Sequence, residues 1–311
     1  MARRCLGSDS KGPDNFPLRA GVLLISAIGL LAFVLASSLL LYSMIQVWKK
    51  CRRKDTMASS IKPGFQPISV LFLCAIFTDV IHGTSNILSI RWAFAGEVTE
   101  GPYCTAQGVL RQIGSMGVAL YSTAIAVLTY LQVLHSERLG ARGAKVFVAA
   151  SICFITGFIT LIIAIPVAVI HPYFGDVGMW CGIMTNHRRL RIVSGSVPPS
   201  LAVPVTVLVY GMVAYKWACQ ASFDTNRTMK RDAIAMGWYP IAYLIVAGPQ
   251  GVASFIQRPG IQSPVALLIF PQALYASWGA LNVILWFCTG RHFGFSPVSS
   301  GSDLYTPGML R

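Results

Sequence analysis

Charge is scarce in this sequence. Asp, Glu, Lys and Arg make up 12% of its 311 residues, against about a quarter in soluble domains. The charges cluster in short patches between long uncharged runs, as in membrane proteins, whose loops carry charge and whose spans carry little. Acid is scarcer still, with 11 Asp and Glu against 25 Lys and Arg and a net charge of +14. In a soluble protein that excess would point to nucleic acid. Here the bases gather at the ends of apolar runs, where they fix topology and meet anionic headgroups. Membrane lipids, not nucleic acid, are the expected partner. The eight Cys include no CxxC pair and no metal spacing, so no metal or other cofactor is expected. HExxH, GxSxG and paired intramembrane acids are also lacking, which argues against an enzyme. No internal repeat is evident. The first apolar run is too long for a cleavable signal peptide and lacks a small-residue cleavage site.

What is present is a series of apolar runs. A helix needs about 20 such residues to cross a bilayer core. Seven runs qualify: Ala20–Trp48, Pro67–Ile90, Cys104–Leu134, Val146–Ile170, Ile192–Tyr215, Ala233–Ile256 and Pro264–Thr289. The last two are parted by a Pro259-Gly260 turn. The fifth holds Pro198, Pro199 and Pro204, which a membrane helix tolerates when neighbours satisfy the freed carbonyls. The last run contains no Lys, which excludes a retinal Schiff base.

Orientation follows from the bases. With the N-terminus outside, 15 Lys and Arg fall on inner segments and 9 on outer ones, with Arg111 inside the membrane. The larger number belongs on the cytoplasmic side. The expected architecture is therefore an all-α, seven-transmembrane-helix bundle in the plasma membrane. Residues 1–18 form an outer tail, 19–290 the bundle, and 291–311 a short inner tail poor in order.

Cys104, at the outer end of the third run, and Cys181, in the following outer loop, would both meet an oxidising compartment. The outer segments otherwise hold only Cys5, so a bridge is favoured over two free thiols. It would pin that loop over the mouth of the bundle. Cys74, Cys153 and Cys288 fall inside spans and read as small apolar residues.

Asp79 is the only acid within a span. Burying a lone carboxylate is costly, so it should face the interior. His82 and Asn86 follow on the same face. In the third span Gln107, Arg111 and Ser115 recur every four residues, with Arg111 roughly 10 Å below Cys104. Span six adds Tyr239, Tyr243 and Gln250, and span seven Gln272, Tyr275 and Asn282. These stripes should converge on one cavity, with Asp79, His82, Asn86, Gln107, Arg111, Gln250, Gln272 and Tyr275 as candidate ligand-binding residues. Arg111 has two open roles: meeting an anionic or hydroxyl-rich ligand, or pairing internally with Asp79 or His82.

Three runs, Cys104-Thr105-Ala106-Gln107-Gly108, Tyr239-Pro240-Ile241-Ala242-Tyr243 and Leu281-Asn282-Val283-Ile284-Leu285-Trp286, carry a resemblance. Together with the seven-span layout they resemble the cyclic-AMP-receptor-like and fungal glucose-receptor-like G-protein-coupled receptors. The resemblance implies a receptor for an extracellular small molecule, for example a nutrient such as a sugar. Its partner would be a heterotrimeric G protein, often one feeding cAMP signalling. The rhodopsin-type pattern fits poorly: Thr129-Tyr130 stands where an acid-Arg-aromatic triplet belongs, and no Pro-x-x-Tyr follows Asn282. A receptor would couple through its inner helix ends, here His135, Glu137, Arg138, Lys216, Lys230, Arg231 and Asp232, with Pro240 as a hinge. The alternative is a small seven-helix transporter, suggested by Pro249-Gln250 and Pro271-Gln272.

Overall fold

A computed structural model describes residues 16–54, 67–134, 136–220, 238, 241–253 and 264–289. Six of its helices are long and apolar enough to cross a membrane. They are α1 (Phe16–Lys54), α2 (Pro67–Leu88) continued by the short α3 (Ile90–Ala95), α4 (Pro102–Leu134), α5 (Ser136–Val169), α6 (Val197–Gln220), and the pair α8 (Val265–Ala276) and α9 (Trp278–Thr289). A shorter apolar helix, α7, covers Ile241–Ala253. The expected sixth span extends on both sides of α7 into residues that are not described, as do the Pro-Gly turn before α8 and the tail after Thr289.

The local causes are legible. Proline opens α2 and α4, where its missing N–H has no helical partner to lose. Between α2 and α3 the chain turns at Ser89, and Gly96 ends α3 at φ 79°, donating its N–H to the Trp92 carbonyl. That left-handed conformation suits glycine. α1 is helical from Phe16, the first described residue, and Pro17 lies in that first described turn. Arg19 then donates to the carbonyls of Ala93 (2.9 Å) and Phe94 (3.2 Å), the open end of α3.

Pro198 and Pro199 set a local problem. The Ser194 carbonyl would accept from residue 198 in an α-helical register or from 199 in a π-helical one. Neither proline has an N–H. The chain is π-helical over Arg191–Ser196, and Gln112 of α4 donates to the Ser194 carbonyl instead at 3.3 Å. This is the neighbour's compensation that such prolines demand.

Between α5 and α6 the chain forms a two-stranded antiparallel hairpin, β1 (Phe174–Asp176) with β2 (Cys181–Ile183), pairing Phe174 with Ile183 and Asp176 with Cys181. Cys104 and Cys181 are disulfide-bonded, with Cα atoms 5.2 Å apart. The expected bridge is present, and it ties the hairpin to the first turn of α4.

The outer surface is apolar. Leu30, Leu31 and Leu41 of α1, Phe154 and Leu161 of α5, and Leu201 and Leu208 of α6 are all exposed. Soluble monomers rarely show apolar faces of this extent; lipid chains cover them at no cost. The chain is a multi-pass helical membrane protein. Inside, Leu71, Met116, Leu128 and Ile155 join α2, α4 and α5, while Val118, Tyr243, Tyr275 and Trp278 join α4, α7, α8 and α9.

Candidate functional site

The site begins with the contact between α2 and α4. A Cβ on Gly114 would stand 2.6 Å from the His82 Cα, and one on Gly117 would strike the Thr78 side chain. Only glycine allows this approach, the membrane habit of packing helices on small residues. It brings the polar stripe of α2 against that of α4.

Arg111 Nη1 donates to Asn86 Oδ1 at 3.1 Å. Neither of the partners expected for it, Asp79 and His82, holds it by a hydrogen bond. Depth explains the choice. Asn86 lies five residues from Arg91, roughly 8 Å in, level with Arg111; His82 lies a turn deeper. Asp79, deeper again, accepts from Asn282 Nδ2 of α9 at 2.8 Å. Asp79 Oδ1 has no hydrogen-bond partner among the described residues.

Gln107 is occupied by structure. Its Oε1 accepts from Trp92 Nε1 (2.6 Å) and from the Cys181 N–H (3.1 Å). Its Nε2 donates to Ser89 Oγ (2.7 Å) and the Ser85 carbonyl (3.1 Å). One amide thus joins α2, α3, α4 and β2 beneath the disulfide, fully buried.

Below the hairpin lies a cavity of about 160 Å³. Five of the eight candidate ligand-binding residues line it: His82, Arg111, Gln250, Gln272 and Tyr275. Asn86 stands behind Arg111, and Gln107 and Asp79 lie outside the lining. Tyr243 and Asn282 line a separate cavity and Tyr239 lies outside the described residues, while members of the stripes on α2, α4, α7 and α8 meet in one space. Tyr275 anchors its wall, donating to the Ser115 carbonyl at 3.2 Å and meeting the His82 ring edge-to-face at 5.0 Å.

Sequence reasoning passed over three members. Trp180, on the hairpin turn, lies 4.1 Å from the Arg111 guanidinium carbon and closes the cavity over it. Its place beside Cys181 was the available signal. Gln112 follows Arg111 directly and so falls off the four-residue stripe, yet it lines the cavity. Arg191, counted only as an outer base, does so too. Among the described lining residues none is Asp or Glu. His82 Nε2, Gln112 Oε1 and both amide atoms of Gln272 have no hydrogen-bond partner among the described residues.

Of the candidate coupling residues, Lys216 donates from Nζ to the Leu134 carbonyl at 3.3 Å, joining the ends of α6 and α4. Glu137 and Arg138 fall in the first turn of α5. His135, Lys230, Arg231 and Asp232 lie outside the described residues. Among the described residues no group of His, Cys, Asp and Glu could hold a metal ion. No known family model matches the chain, and no curated protein matches it.

Proposed function

We propose that this chain is a G-protein-coupled receptor of the plasma membrane, with seven spans, an outer N-terminus and an inner C-terminus. It senses an extracellular small molecule and activates a heterotrimeric G protein, in line with the cAMP-linked receptors its motifs resemble. The observation that carries this reading is the roofed cavity. Polar residues of α2, α4, α7 and α8 meet in one space, and a disulfide-tied hairpin covers it. A ligand there touches helices at opposite sides of the bundle, so it can favour one arrangement of them over another. The inner helix ends, with Glu137, Arg138, Lys216, Lys230 and Arg231, are the proposed contact for the G protein.

Pro271 within α8, next to the cavity-lining Gln272, favours a second reading, a small seven-helix carrier, since proline-interrupted spans mark substrate sites in carriers. Ligand-dependent nucleotide exchange on a G protein reconstituted with the pure chain supports the receptor. Accumulation of labelled solute in proteoliposomes, without exchange, supports the carrier instead.

A further inference from the structure

We infer that the cavity beneath the hairpin takes a small organic carboxylate carrying a second, hydrogen-bonding group, and is not built for a neutral sugar. The assignment rests on the receptor reading of this cavity as a ligand site.

Charge is the first argument. The lining holds two guanidinium groups, Arg111 and Arg191, and among its described members no acid. Arg111 makes a single hydrogen bond to a described residue, with Asn86, and stacks on Trp180. A guanidinium has five N–H donors. An indole face and one neutral amide leave most of them unused among the described residues, and no described residue hydrogen-bonded to Arg111 carries the opposite charge. A cation so deep in a membrane protein is expensive unless paired. A carboxylate supplies the charge and the two acceptor atoms that match the fork of an Arg. A neutral hydroxyl supplies neither.

Unpartnered polarity elsewhere in the lining is the second argument. Gln272 is 1% exposed and lines the cavity with both amide atoms unpartnered among the described residues, and His82 Nε2 is in the same state. Buried polar atoms are normally satisfied. Here a hydroxyl or amide on the ligand would serve them. Size is the third. A cavity of about 150 Å³ admits one benzene, and this one measures about 160 Å³. It accommodates a one-ring or short-chain acid, whereas a cyclic nucleotide exceeds this volume.

The test uses full-length protein in lipid nanodiscs, with thermal unfolding as the readout. The probes are benzoate and 4-hydroxybenzoate, each beside its amide, with glucose and cyclic AMP for comparison. All are used up to about 10 mM, which detects a Kd near 1 mM. The carboxylates should raise the unfolding temperature dose-dependently, the hydroxylated one at lower concentration, and the amides should not. Arg111→Gln should weaken carboxylate binding by about 10- to 100-fold, the loss of a charge-assisted bond, and Arg111→Lys by less. Should Arg111→Gln fail to fold, Arg191→Gln replaces it, with the same direction expected. Equal binding of acid and amide overturns the inference. So does stabilisation by glucose without the acids, by cyclic AMP alone, or by no carboxylate. Carboxylate binding without nucleotide exchange leaves this inference standing and defeats the receptor reading; exchange driven by glucose defeats this inference alone.

Discussion

Gln107 and Arg111 sit one helical turn apart and have opposite duties. Gln107 spends both amide atoms on structure, four hydrogen bonds among buried groups. Arg111 makes one hydrogen bond to a described residue, with Asn86. Sequence periodicity placed both on one stripe, and correctly, but a stripe cannot say which member is consumed. That depended on Trp92 and β2 arriving beside Gln107, contacts across long sequence separations. Gln107→Leu should therefore act through stability. It strands the Trp92 and Cys181 N–H groups, each costing about 1–3 kcal/mol when buried without a partner. The expected outcome is a clear drop in the unfolding temperature of the purified protein. Carboxylate affinity measured well below that temperature should be nearly unchanged.

At the scale of elements, the hairpin and the α2–α4 pair carry the site. The hairpin bears Asp176, whose carboxyl is pushed above the usual range by desolvation. The Gly178 N–H at 2.7 Å opposes the shift, and Glu100 and Glu97 add to it. A carboxyl raised in this way binds its proton more tightly folded than unfolded. It therefore costs stability above its folded value and relieves that cost as pH falls. Lowering pH from neutral towards the ordinary Asp value of about 4 should raise the unfolding temperature by more, or lower it by less, in the parent than in Asp176→Asn, which keeps an acceptor for Gly178. Equal slopes in the two proteins would remove Asp176 from the account. For the helix pair, Gly114→Leu drives a side chain into the His82 backbone. Overpacking of this kind costs about 1–3 kcal/mol. It should also widen the gap that Arg111 crosses to Asn86, so carboxylate binding and stability should fall together, unlike in Gln107→Leu. The helices themselves were legible because a span without charge has few alternatives in lipid. The hairpin was not: its three-residue strands are too short for an alternating pattern to register.

The whole molecule is read most fully at its hairpin end. Lys216 already links the far ends of α6 and α4, and the remaining coupling candidates follow from the sequence. In the receptor reading those ends must separate for a G protein to bind, since a partner shifts an equilibrium only by its differential affinity. Lys230 and Arg231 changed together to Gln should leave surface expression and carboxylate binding intact and abolish nucleotide exchange. Undiminished exchange at equal expression would reduce these bases to headgroup anchors.

The glycine contacts carry a mechanical consequence. Gly29 meets Asn86, Gly83 meets Phe33, Gly114 meets His82 and Gly117 meets Thr78. With backbones this close, α1, α2 and α4 cannot slide past one another without collision. They form a stator. α6 and α8 hold Pro204 and Pro271 within their lengths, and the chain stays helical through Ser277, whose carbonyl accepts from the Leu281 N–H. α8 nonetheless joins the stator through Gly21 of α1, where a Cβ would overlap the Ile269 side chain. A ligand held by both Arg111 and Gln272 would therefore rest on a seat that yields little.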